Sequence, residues 1–340
     1  MKFYSFLPGL HATCASLALC MAGALLAGCG AGTASGSDPT ASVAGFPVSV
    51  DNCGTEVRFD SAPSRVVTIK SAATETLLAL GLGDRIVGEA FADGPVPAQW
   101  SDEAARIPRL SDQVPAQEVV LEQDPDLVLA GWESNFAADG AGERASLEAL
   151  GVRTYVLPAA CRAPRYRPER LGFDDVFAQI QQVGAILGAT QDADRLVDAQ
   201  RRSLAAISPA APGTSALWYS SGSTIPYVGA GIGAPQMVLE TLGLSNIAGD
   251  VRDSWTPMSW EKIVEADPEV IVLVDAAWNT AESKIDRLRS NPATAALDAV
   301  RHDRYLTIPF PASEAGVRTV PATVDLAAQL AALGLAGSPE

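Results

Sequence analysis

One short pattern occurs twice in this 340-residue chain. It reads PAQEVVLEQDPDLVLAG from Pro115 to Gly131 and PMSWEKIVEADPEVIVLV from Pro257 to Val274. Glu118 aligns with Glu261 and Asp124-Pro125-Asp126 with Asp267-Pro268-Glu269, always 143 residues apart. Each copy opens with good helix formers. A proline then bars the helix from continuing and pushes the residue before it out of the helical region. The β-branched-rich apolar run that follows suits a strand buried on both faces. A helix, an Asp-Pro turn and a buried strand spelled twice imply two separate sheets on one plan.

The rest of the chain repeats that alternation. Strand patterns fall at RVVTI (65–69), RIVGEA (85–90), DLVLAG (126–131) and RTYVLP (153–158), with helix patterns at TETLLALG, 115–123 and 141–150. From Phe173 to Ile207 the apolar positions keep helical spacing, interrupted at Gly188. Alternation then resumes with SALWYS, a glycine-rich VGAGIGAP loop, the helix QMVLETLG, EVIVLV (269–274) and RYLTIP (304–309). LGLGDRIVG in the first half finds an echo in LGLSNIAG in the second. These patterns predict an α/β protein with an N-terminal lobe at 47–172, a helical linker at 173–208 and a C-terminal lobe at 209–340. A cleft between two such lobes is where a small ligand binds.

The first 28 residues carry a single charge, Lys2, and an apolar run dense from Leu17. That run is about 12 residues, short of the roughly 20 a membrane-spanning helix needs, and it ends on small residues, as an export signal does. Leu26-Ala27-Gly28-Cys29 resembles a bacterial lipobox, which implies lipid on Cys29 and a chain anchored to the outer face of the cell membrane. Residues 29–46 are small, polar and aperiodic, a tether with a reach on the order of 20 Å. Without Lys2, 23 basic residues face 40 acidic ones, a net charge of −17. Such a charge repels nucleic acid and anionic headgroups. Of five cysteines, Cys14 and Cys20 leave with the signal and Cys29 takes lipid. Cys53 and Cys161 remain, and an oxidising compartment favours their disulfide.

Motifs for catalysis are missing. The exported chain holds one histidine, His302, and no nucleophile elbow, paired-histidine zinc motif or phosphate loop. With one histidine and no adjacent tyrosines it offers few metal ligands, so neither a metal nor a cofactor is expected. Residues just after strands say more, because ligands in open α/β sheets sit beyond the carboxyl ends of the strands. The first half places Lys70, Trp132, Glu133, Arg162, Arg165 and Arg167 there. The second half offers Trp218, Tyr219, Trp255, Trp278, Lys284 and Arg318. Aromatic faces with Lys and Arg suit a ligand that is flat at one end and anionic at the other.

In order, RVVTIKSAATETLLALGLGDRIVG, DPDLVLAG, LETLGLSNIAGD, MSWEKIVEADPEVIVLV and NPATAALDAVRHDRYLTIP resemble the iron-siderophore and cobalamin class of ABC-transporter substrate-binding proteins. The resemblance covers roughly residues 48–335. It implies two Rossmann-like lobes on a long interlobe α-helix, the class III periplasmic-binding-protein fold. It also implies a monomer that delivers a small molecule to a membrane permease with a cytoplasmic ATPase, docked through one acid per lobe. Glu75 falls at the first docking position, and Glu240 is the acid nearest the second. The NCGTEV, GWESN, LWYSSGS, YVGAGIGAP, WTPMSWE and WNTAESK segments look like a subgroup assigned to a precursor of the deazaflavin coenzyme F-420, a planar ring bearing a phosphodiester and a carboxylate. Ferric siderophores and cobalamin are the alternative cargoes.

Overall fold

The computed structural model describes residues 45–337. The expected signal segment 1–28, the lipidation site Cys29 and nearly all of the tether 29–46 lie outside the described residues. Both copies of the repeated pattern fold alike. Helix Gln117–Leu121 and helix Trp260–Ala266 each run into an aspartate with positive φ, Asp124 at 48° and Asp267 at 39°. Aspartate tolerates that left-handed geometry better than most residues do. The following proline then feeds a buried strand, exposed only at Asp275 where the second one ends.

A hairpin of β1 (Val48–Asn52) and β2 (Thr55–Phe59) precedes the first sheet. That sheet comprises β3 (Val66–Ile69), β4 (Ile86–Ala90), β5 (Arg109–Ser111), β6 (Leu127–Ala130) and β7 (Arg153–Val156). All its strands are parallel, in the order β5-β4-β3-β6-β7. The second sheet contains β8 (Ser215–Ser221), β9 (Tyr227–Gly229), β10 (Ser245–Asn246), β11 (Trp255–Pro257), β12 (Val270–Asp275) and β13 (Tyr305–Pro309). Its order is β11-β9-β8-β12-β13, with β10 also paired to β8. The repeated strands occupy equivalent places: β6 beside β3 and β12 beside β8, each parallel to its neighbour. The weaker LGLG and LGLS echo is also structural, since β4 and β10 both add in parallel to their central strand.

The linker corrects the expectation of one long helix. Helices Phe173–Ile186 and Thr190–Ala205 are separated by a turn in which Gly188 has φ 68°. The second doubles back on the first. Arg201 pairs with Asp174 at 2.8 Å, Gln181 donates to Asp194 at 2.8 Å, and a Cβ on Gly184 would stand 2.5 Å from that of Ala193. Those pairings mark successive rungs of an antiparallel helical hairpin. Its first helix buries Val176, Phe177, Ile180 and Val183 in the core that also holds Leu77, Leu127 and Tyr155 of the first lobe. The second lobe has its own core on both sheet faces, with Trp218, Val272 and Leu306 on one and Tyr219, Ile271 and Leu273 on the other.

Candidate functional site

In the first sheet the chain builds outward from β3 through β4 to β5, then reverses through β6 to β7. The reversal between β3 and β6 opens a crevice at their carboxyl ends, and the residues there are Lys70, then Gly131 and Trp132. Trp132 starts a tight turn, its N–H donating to Asn135 Oδ1 at 3.1 Å. Glu133 accepts the backbone N–H of Arg162 at 2.5 Å, tying that turn to the loop after β7. The same loop is fixed from the other side by the Cys53–Cys161 disulfide and by Tyr166, which donates to Asp51 at 2.6 Å. The hairpin β1–β2 therefore splints the segment that carries Arg162.

The second lobe faces this crevice with the glycine-rich loop. Gly231 N–H donates to Val251 at 2.9 Å, and Ile232 N–H to Asp253 at 3.2 Å. A Cβ at Gly231 would lie 2.0 Å from the Gly249 carbonyl, so only glycine permits this clamp. The clamp presents Ser254 and Trp255 beside Gly233, where helix Ala234–Thr241 begins. The turn after β13 contributes Ser313 and Glu314. Together the two lobes line an open cleft of about 490 Å³, in the size range of small-molecule sites. Of the residues singled out in the sequence, Trp132, Glu133, Arg162 and Trp255 line it. Arg167, which the sequence marks only as part of a basic cluster, also lines it and reaches Asp253 at 3.4 Å across the cleft.

Two groups set the electrostatics. Among the described residues the Arg162 guanidinium has no ion-pair partner, leaving an exposed cation on the wall. Glu314 accepts the Trp132 indole N–H at 2.7 Å, a bond that crosses between lobes over 182 residues of chain. Burial pushes the Glu314 carboxyl above the usual carboxylate range, against the opposing pull of the Trp132 N–H and the Lys70 charge. Glu314, Ser254 and Asp253 carry no strand-end signal. They sit in turns whose approach to Trp132 depends on how the lobes pack.

The remaining expected contacts are corrected. Trp218 and Tyr219 lie mid-strand in β8, which is buried on both faces, so both are core. Tyr219 donates to Gly222 O at 2.5 Å and accepts from Arg287 at 2.9 Å. Lys284 is fully buried, its ammonium capped by the carbonyls of Val274 and Asn279. Arg165 turns away onto the Tyr166 hydroxyl, 2.6 Å off, and lines a neighbouring pocket. Trp278 is 65% exposed, set edge-on to Phe310 outside the cavity. Lys70 is buried behind Trp132 and ion-paired to Asp93. Arg318 grips Glu75, with Nε 2.8 Å from Oε2, and Glu75 is 1% exposed, so it offers no free carboxylate to a docking partner. Glu240, partly exposed, is paired with Arg170.

Residues 66–312 match the family model described as periplasmic binding protein. The chain is similar to an uncharacterised ABC transporter substrate-binding lipoprotein, YvrC, of Bacillus subtilis. The two are 28% identical over an alignment of 321 positions that covers 91% of this chain and 94% of the relative. It is 30% identical to a cobalamin-binding protein of Halobacterium salinarum over 67% of this chain and 58% of that one. Among solved structures it resembles one described as an ABC-type Fe3+-hydroxamate transport system from Saccharomonospora viridis. That likeness has a TM-score of 0.70 and 28% identity, covering 84% of this chain and 99% of the other. A matching family model across most of the chain and a cleft at the switch points of two α/β lobes agree: the chain belongs to the periplasmic binding protein family.

Proposed function

We propose that this chain is the solute-binding component of an ABC importer. It is exported, held at the outer face of the cell membrane by lipid on Cys29, and hands its ligand to a permease driven by a cytoplasmic ATPase. It binds without turning over its ligand. The observation that carries this reading is the cavity itself. Two indole-bearing walls, Trp132 and Trp255, flank a cleft whose wall carries Arg162 without an ion-pair partner among the described residues. A flat aromatic body stacks on an indole, and an anionic end meets a guanidinium through a charge-assisted hydrogen bond. The ligand is therefore an anionic aromatic small molecule, and the deazaflavin precursor with its phosphodiester and carboxylate has that chemistry.

Cobalamin is the second reading, favoured by the 30% identity to a protein named for binding it. A cleft of about 490 Å³ holds a drug-sized ligand. Thermal-shift titration of the purified protein separates the two. A ligand at 100 times its Kd adds about 2.7 kcal/mol to stability. A shift with the deazaflavin phospholactate but not with the phosphate-free ring supports the reading. A shift with cobalamin or a ferric siderophore alone replaces the cargo, and no shift with any of them counts against solute capture of this class.

A further inference from the structure

Lys70 has features that a ligand-contacting lysine would not need. Its backbone lies at φ 80° and ψ 146°, close to a region that essentially only glycine occupies. Strain of that kind persists where the surroundings over-determine it. Its side chain is 2% exposed. The ammonium stands 3.5 Å from the ring centroid of Trp132, 4.3 Å from that of Phe91 and 5.6 Å from that of Phe310. Asp93 supplies the counter-charge. Asp93 is fixed in turn, its Oδ2 accepting the Ser71 N–H at 3.2 Å while its own N–H donates to Ser71 Oγ at 2.8 Å. Phe91 meets Trp132 edge-on, with centroids 5.8 Å apart. At position 131 a Cβ would approach the Lys70 Cβ to 2.7 Å, so Gly131 is what lets the lysine stem cross beneath the indole. Phe91 and Trp132 come from the first lobe, Phe310 from the second.

We propose that Lys70 is a positioning residue, its Asp93-anchored ammonium serving as an internal pin that sets the Trp132 indole as a stacking platform on the cleft wall and couples that ring to the second lobe. A cation prefers the face of an indole, and a cation held by a fixed carboxylate gives the ring one favoured tilt. That tilt aims the indole N–H at Glu314 of the opposite lobe. A platform ordered before binding spares an incoming ligand the cost of ordering it. This last consequence rests on the solute-binding reading; the pin itself does not.

The test uses the full chain labelled with 5-fluorotryptophan, whose six tryptophans give six fluorine lines. The line lost in Trp132→Phe identifies Trp132. In Lys70→Met that line shifts or splits while the other five hold, and Lys70→Arg, which keeps a cation over the ring, returns it to a single line near the wild-type position. A Trp132 line unmoved by Lys70→Met would overturn the proposal, as would one displaced equally by Lys70→Arg. Should Lys70→Met fail to fold, the wild-type chain decides, because it has only four lysines, Lys2, Lys70, Lys262 and Lys284. With carbon-13 at the lysine ε position, the Lys70 methylene protons should lie upfield of the rest through ring currents and move back in Trp132→Phe. An ordinary position for them refutes the cage. None of these readouts uses a ligand, so failure of the transport reading would leave them unaffected.

Discussion

The pair formed by Arg318 and Glu75 is the sharpest place to perturb the molecule. Glu75 sits on helix Ser71–Ala79 of the first lobe, while Arg318 immediately precedes helix Thr319–Ala332 at the other end of the chain. The guanidinium engages both carboxylate oxygens and the Pro95 carbonyl at 3.0 Å, and the two side chains are 12% and 1% exposed. Replacing Arg318 by Met removes the cation and leaves the carboxylate buried. Breaking a buried pair from one side costs about 3–5 kcal/mol. At roughly 2–4 °C per kcal/mol for large domains, Tm should fall on the order of 10 °C. The loss should depend on pH. Burial already holds the Glu75 carboxyl above 4.5, with Arg318 pulling the other way. Without Arg318 it rises further, so the unfolded state is ionised where the native carboxyl prefers its proton. The penalty is then full above the raised native pKa and fades as pH falls toward 4.5. Calorimetry of wild type, Arg318→Met and Glu75→Gln/Arg318→Met at pH 5 and pH 8 measures this, and the double variant should recover most of the loss. A single variant within about 1 kcal/mol of wild type at pH 8 would be less than this pair predicts and would refute the reasoning.

Other outcomes follow from the same geometry. Arg162→Ala should weaken an anionic ligand by about tenfold or more, as expected for a hydrogen bond to a charged group, and the loss should shrink at high salt; isothermal titration at two ionic strengths checks it. Trp255→Ala should weaken binding similarly, whereas Trp278→Ala should leave affinity unchanged because Trp278 stands outside the cavity. Replacing both Cys53 and Cys161 by Ser opens a loop spanning 108 residues, which the chain-entropy model values at about 4–5 kcal/mol, measurable by urea unfolding. Burial lowers Lys284 to about 8 from 10.5, so between those two pH values the unfolded chain binds a proton that the native one has lost. Stability should rise with pH across that window. Lys284→Met should flatten the rise.

The pattern of residues carried further for the fold than for the site. Trp132 and Glu133 stood out in the sequence because they come just after β6, and Arg162 because it lies in the loop after β7. Trp218 and Tyr219 were misplaced because β8 is buried on both faces, so alternation gives no sign of which side chains reach a ligand. Lys284 looked like a free cation because nothing local reveals that the carbonyls of Val274 and Asn279 close over it. The Gly188 interruption was visible, but the direction the chain takes after it was not. The Arg201–Asp174 and Gln181–Asp194 pairings and the close seat of Gly184 on Ala193 show that the second helix turns back.

The amino-acid order by itself determined the two-lobe plan, since a proline after an aspartate and a run of β-branched residues act locally wherever they occur. The tertiary structure alone decided which of the charged residues face the cleft. Glu314 meets Trp132, Arg318 meets Glu75 and Phe310 completes the ring around Lys70 across 182, 243 and 240 residues of chain. Contacts of that span leave no periodicity in the sequence. They exist because burial between lobes selects, among many charged side chains, those that find a partner there.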